Sequence, residues 1–154
     1  MNKDDLYSES LANIANFSFD AQVADVFTDM IERSVPGYRS IITMIETLTE
    51  HYAQPGSTLY DLGCSLGGAT LSMRRGMVAD GCRIVAIDRS ESMVARCRKA
   101  MERDHNPTPV KTICGDIRQV EIADASVVVL NFTLQFIPPA ERASLLERIC
   151  AGMR

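Results

Sequence analysis

Two continuously apolar runs, Ile84-Val85-Ala86-Ile87 and Val127-Val128-Val129-Leu130, constrain this chain more than any other feature. A strand with one wet face alternates apolar and polar residues; an unbroken apolar run fits a strand covered on both faces. The segments around them take turns in period. Thr58-Leu59-Tyr60-Asp61-Leu62 reads as a strand entering a glycine turn, and residues 66–77 are helix-like. Residues 91–103 carry Met93, Val94, Cys97 and Met101 at helical spacing, and 109–114 read as a third strand. Residues 126–132 read as a fourth strand, and Pro138-Pro139 opens a last helix with Leu145, Leu146 and Ile149 inward. Strands alternating with helices imply parallel pairing through right-handed crossovers. The expected fold is α/β, a doubly wound, mostly parallel sheet.

Upstream, residues 1–19 read as an irregular arm with Phe17 and Phe19 as packing anchors. Asp20 is placed to cap a helix carrying Val23, Val26, Phe27, Met30 and Ile31, which Pro36-Gly37 stops. A second helix over about 39–51 sets Ile41, Ile42, Ile45 and Leu48 on one side, ending before Pro55-Gly56. Residues 1–55 are therefore expected to form a helical extension packed on a core of 56–154, one structural domain in all.

With 46% hydrophobic and 23% charged residues, composition excludes a disordered tail or a disulfide miniprotein. A net charge of −4 without a block of like charge argues against a nucleic-acid surface. The five cysteines show no C-x-x-C spacing, which suits reduced thiols and a cytoplasmic setting. No apolar run reaches the roughly 20 residues of a membrane span, and two scattered histidines, His51 and His105, make a metal site unexpected.

Chemistry concentrates in Asp61-Leu62-Gly63-Cys64-Ser65-Leu66-Gly67-Gly68, between the first strand and a helix. Glycines there let the backbone turn sharply and approach a ligand. In a dinucleotide fingerprint Gly63, Ser65 and Gly68 would be the three positions, with Ser65 where the central glycine meets a pyrophosphate. That side chain disfavours a dinucleotide but not a nucleoside lacking phosphates. Asp88 closes the second strand, 20 residues past Gly68, placed either to accept from ribose hydroxyls or to cap the helix near Ser90. Gly115-Asp116-Ile117 ends the third strand: Asp116 suits an adenine amine and Ile117 its ring, or Asp116 serves as a local turn acceptor. Asn131, a polar amide after four apolar residues, is expected to face the ligand crevice. These features describe a phosphate-free, metal-free adenosine pocket, with S-adenosyl-L-methionine as the candidate ligand.

Gly63-Cys64-Ser65-Leu66-Gly67 also matches the G-x-S-x-G nucleophile elbow, with Asp88 and His105 in triad order. Topology counts against it, because only helices precede the first strand, whereas the elbow belongs to a central strand with several upstream.

Three runs carry a resemblance: Ser34-Val35-Pro36-Gly37-Tyr38, Tyr60-Asp61-Leu62-Gly63-Cys64-Ser65-Leu66-Gly67, and Val129-Leu130-Asn131-Phe132-Thr133-Leu134-Gln135-Phe136. Together they resemble the carboxy-S-adenosyl-L-methionine synthase family, within the Rossmann-like class I methyltransferase superfamily, over essentially the whole chain. The resemblance implies an enzyme that takes S-adenosyl-L-methionine as substrate and prephenate as carboxyl donor, releases phenylpyruvate, and supplies tRNA wobble-uridine carboxymethylation. An ordinary methyltransferase or a non-catalytic S-adenosyl-L-methionine-binding fragment is the alternative. It further implies that Tyr38 meets the amino-acid end of the ligand and Gly63, Cys64 and Ser65 the turn around it. Asp88 and Arg89 would take the ribose, Asp116 and Ile117 the adenine, and Asn131 the sulfonium end. Arg89 departs from the asparagine of the family pattern. The family's habit implies a homodimer, and a key arginine and about three further strands beyond Arg154, so an N-terminal fragment is expected.

Overall fold

The computed structural model describes residues 30–154. After helical residues 30–34 come α1 (Tyr38–Tyr52), β1 (Thr58–Leu62), α2 (Gly68–Arg75), β2 (Arg83–Asp88), α3 (Glu91–Arg103), β3 (Val110–Cys114), β4 (Ala125–Val129), a 3-10 turn (Leu134–Phe136) and α4 (Pro139–Gly152). The expected arm with Phe17 and Phe19, and the Asp20 cap, lie outside the described residues.

All strand pairs are parallel, in the order β3-β2-β1-β4. The chain steps outward from β1 through β2 to β3, then returns to the far side of β1. The order therefore reverses between β1 and β4, and a crevice opens beyond their carboxyl ends.

Strand alternation decides what each face buries. Leu59, Ile84 and Ala86 point to one side, under Ile45 of α1, Ala69 and Met73 of α2, and Cys97 and Met101 of α3. Tyr60, Leu62, Val85 and Ile87 point to the other, under Leu145 and Ile149 of α4 with Ile117, Ile122 and Ile137. Ile84, Ala86 and Ile87 have no exposed surface, which is why their run needs no polar position. Each buried aliphatic side chain contributes about 1.5–3 kcal/mol of apolar transfer. Helices on both faces of a parallel sheet are the expected α/β architecture.

Three local expectations are corrected. β4 ends at Val129 rather than at 132, and Phe132 takes a left-handed φ of +56° that no strand continues. Leu146, expected inward, is exposed, and so is Leu48, expected on one side of its helix with Ile41, Ile42 and Ile45. Each sits beside its helix's buried stripe, which covers only part of the circumference. Thr49 is buried instead, its hydroxyl donating to the Ile45 carbonyl at 2.8 Å. The helix expected at 66–77 is shorter, Gly68–Arg75. β4 forms one edge of the sheet; at its start Met153 makes a parallel bridge to Ala125, and the Arg154 N–H donates to the Ala125 carbonyl at 2.9 Å.

Candidate functional site

β1 delivers its chain to the crevice through a turn with three left-handed residues, Gly63 (φ +92°), Ser65 (φ +50°) and Gly67 (φ +89°). The N–H groups of Gly63 and Cys64 both donate to the Ile87 carbonyl of β2, at 2.8 and 2.9 Å. Gly63 is required twice over. Its φ disfavours a side chain, and a Cβ there would lie 2.3 Å from Thr133 Oγ1, on the segment after β4. Ser65 occupies the same region without being glycine, a local strain of the kind concentrated at ligand sites.

A cleft of about 140 Å³ lies at this point. It brings together the expected Tyr38, Gly63, Cys64, Ser65 and Asn131, joined by Ile31, Leu66, Gly68 and Ala69. Tyr38 sits on the first turn of α1, close enough that a Cβ on Gly68 would be 3.2 Å from its hydroxyl. Its phenol is pushed above the usual range by burial, then by the charges of Asp61 and Glu32. The Cys64 thiol is buried and held neutral, first by hydrogen bonding with Cys97 and then by desolvation.

Asp88 stands at the end of β2 beside this turn. Its Oδ2 accepts the Ser65 N–H at 2.9 Å and its Oδ1 accepts the Ser90 N–H at 2.9 Å. The N-cap of α3 itself is Ser90, whose hydroxyl accepts the Met93 N–H. Asp88 thus orients the turn and the helix start together. Asp116 and Ile117 follow β3 and do not line the cleft. Asp116 Oδ1 accepts the Arg118 N–H at 2.9 Å, so it does act as a local turn acceptor, and it also grips the Arg118 guanidinium. Those bonds hold its carboxyl down at about 2. Ile117 is buried in the core, and Arg89 is exposed.

The hydrolase-like arrangement is not formed. Ser65 offers Asp88 its backbone N–H while its hydroxyl points to Met93 Sδ at 3.6 Å. His105 lies before β3, at the opposite end of the sheet.

Asp61 was not singled out as a site residue, and it is the most unusual group here. Alternation turns it away from Leu62 toward α2, where Thr70 donates to its Oδ2 at 2.6 Å. It is 1% exposed, and Oδ1 has no hydrogen-bond partner among the described residues. Burial pushes its carboxyl up to about 6, against the Thr70 bond and with the Asp88 charge. Its signal in the sequence is an acid inside an otherwise uncharged strand, where burial costs free energy unless a partner or a ligand offsets it.

Residues 59–154 match the model of the methyltransferase domain family. This chain belongs to that family. The chain is 57% identical over 153 residues to the carboxy-S-adenosyl-L-methionine synthase of Vibrio atlanticus, covering 99% of this chain and 63% of the relative. An Escherichia coli protein of the same name is 54% identical over 151 residues, covering 98% and 61%. The chain thus spans about three-fifths of the length of these curated relatives. Among solved structures it is similar to the plantazolicin methyltransferase BpumL in complex with SAH (TM-score 0.63, 18% identity, 87% of this chain and 52% of that one). It is also similar to the cyclopropane synthase MmaA2 from Mycobacterium tuberculosis (TM-score 0.57, 20% identity, 73% and 39%). These two likenesses bear on the fold alone.

The cleft offers a glycine turn, a phenol and an amide, and the buried Asp61, which does not line it, acts on the Tyr38 phenol through its charge. Among the described residues no group of three or more metal-ligating side chains is present, and no helix is long and apolar enough to cross a membrane.

Proposed function

We propose that this chain carries the S-adenosyl-L-methionine site of a carboxy-S-adenosyl-L-methionine synthase, with prephenate as carboxyl donor. The single observation behind this reading is 53–57% identity over nearly the whole chain to proteins of that name. The cleft at the β1–β4 reversal supports it. In this reading Tyr38 and residues 63–65 hold the methionyl end, and Asn131 lies near the sulfonium. Asp88 and Arg89 serve the ribose and Asp116 and Ile117 the adenine. Asp61 supplies negative charge beneath the cationic end of the ligand.

The chemistry asks for position more than for a nucleophile. Prephenate loses its ring carboxyl and hydroxyl as the ring becomes aromatic, leaving phenylpyruvate. The carboxyl group joins the sulfonium methyl carbon, whose departing proton leaves with the hydroxide as water. Holding the released group beside an acidified methyl is a task for proximity and electrostatics. None of the described cleft-lining residues is Arg or Lys, so the cation for the donor's carboxylates comes from outside that set. The product would serve tRNA wobble-uridine carboxymethylation by a partner enzyme. The free cysteines, three of them buried, support a reducing, cytoplasmic setting. A homodimer is the proposed assembly.

The test is incubation with S-adenosyl-L-methionine, with and without prephenate, followed by mass spectrometry of the nucleoside and direct binding by calorimetry. Gain of a carboxyl group only with prephenate supports the reading. Demethylated nucleoside with an acceptor would replace it by ordinary methyl transfer, and binding without turnover would reduce it to a ligand module.

A further inference from the structure

Strand register and chain path part company just beyond β4. Asp61 of β1 pairs with Val129 of β4, so a ladder that ran on would set Gly63 beside Asn131. β4 stops at Val129 instead, and Phe132 takes a left-handed φ of +56°. A bulky side chain is disfavoured in that region, and such a conformation persists where the surrounding structure enforces it. The detour seats Thr133, two residues later than the register would place, against Gly63.

Thr133 fits that place closely. Its Oγ1, Cγ2 and Cβ lie 2.3, 2.6 and 3.0 Å from where a Cβ on Gly63 would stand, so its branched head fills the space that glycine leaves. Thr133 is the N-cap of the 3-10 turn, yet its hydroxyl makes no capping bond and donates back to the Asn131 carbonyl at 3.4 Å. That bond is long, so the branched shape carries the contact. On the β2 side, the Gly63 N–H donates to the Ile87 carbonyl at 2.8 Å. The glycine turn is therefore gripped between β2 and Thr133, while Asn131, outside the ladder, lines the cleft with Gly63, Cys64 and Ser65.

We propose that Thr133 is a positioning residue: wedged over Gly63, it fixes the separation between the Asn131 amide and the glycine turn. This rests on the reading that residues 63–65 hold the methionyl end of S-adenosyl-L-methionine and Asn131 lies near its sulfonium. One ligand spans both groups, so their spacing sets how well it meets the two at once. Thr133 does not line the cleft itself and acts through Asn131.

The experiment is a double-mutant cycle read by calorimetric titration of S-adenosyl-L-methionine. It compares the wild-type chain, Asn131→Ala, Thr133→Ala, Thr133→Ser and Thr133→Val, with each Thr133 substitution repeated in the Asn131→Ala background. Urea denaturation without ligand confirms folding. Asn131→Ala and Thr133→Ala are each expected to weaken binding about tenfold. The Asn131→Ala/Thr133→Ala variant should bind as Asn131→Ala does, because the wedge then has no amide to place. Thr133→Val keeps the branched shape and should stay within about threefold of wild type. An equal loss from Thr133→Ala in both backgrounds marks a merely structural role and overturns the proposal, as does a Thr133→Val variant as weak as Thr133→Ala. Unchanged affinity in Thr133→Ala, with a loss in Asn131→Ala, overturns it and leaves the ligand reading standing. Unchanged affinity in Asn131→Ala overturns both. Should Thr133→Ala not fold, Thr133→Ser, which drops only Cγ2, carries the decision through a smaller loss that vanishes in the Asn131→Ala background.

Discussion

Asp61 joins burial to charge in a single side chain, and its titration has consequences in two directions. Its folded pKa of about 6 lies above the ordinary 3.8. Between those values the folded state holds more protons than the unfolded one, so this group lowers stability as pH rises from 3.8 to 6 and adds no further change above. Asp61→Asn removes that penalty while offering Thr70 an amide oxygen. The variant's unfolding free energy in urea denaturation should exceed the wild type's at pH 8, by on the order of 2 kcal/mol, and the gap should close toward pH 4. Ligand binding runs the opposite way. A cationic ligand favours the ionised acid, so affinity for S-adenosyl-L-methionine should fall as pH drops through about 6, and Asp61→Asn should be weaker at pH 8 and flat with pH. Calorimetry across pH 5–8 checks it. Flat wild-type binding would remove Asp61 from the ligand's charge balance.

The helices owe their positions to contacts that can be tested one at a time. The start of α3 depends on Ser90, whose hydroxyl accepts the Met93 N–H. Ser90→Ala is expected to cost about 1 kcal/mol in urea denaturation. The approach of α2 to α1 depends on Gly76, where a Cβ would lie 2.2 Å from the Glu46 carbonyl oxygen. Its φ of −78° is ordinary, so the conflict is purely steric. Gly76→Ala should cost about 1–3 kcal/mol by forcing the two helices apart, measured by the shift in thermal midpoint. α3 was readable to the residue, 91–103, because Met93, Val94, Cys97 and Met101 supply a complete buried face. β4 was not, because the apolar run continues through Leu130 while the backbone has already left the strand at Val129. Periodicity reports burial rather than hydrogen bonding, and Leu130 packs on the core from outside the strand.

Arg74 connects distant parts of the molecule. It is 7% exposed, and its guanidinium donates to the carbonyls of Met101 (3.0 Å), Asn106 (2.7 Å) and Thr108 (3.0 Å) and to the Asp104 carboxylate (2.9 Å). Asn106 returns the contact, its amide donating to the Arg74 carbonyl at 2.8 Å. One side chain of α2 thereby ties down the connection between α3 and β3 at Asp104, Asn106 and Thr108. Arg74→Met fills similar volume but strands those acceptors, and should cost about 3 kcal/mol or more in equilibrium unfolding. A cost under 1 kcal/mol would show that solvent replaces the guanidinium.

The parallel α/β order and the glycine turn were legible in the sequence, because hydrophobic period and glycine's conformational range act over a few neighbouring residues. Only the tertiary structure decided which acid is buried and which acceptors are already taken. Asp61 is desolvated by helices from either side of it in the chain, and Asp116 is saturated through Arg118, itself braced against α4 more than 20 residues away. Burial and ion pairing are set by neighbours that only the folded chain brings together, and no local pattern carries them.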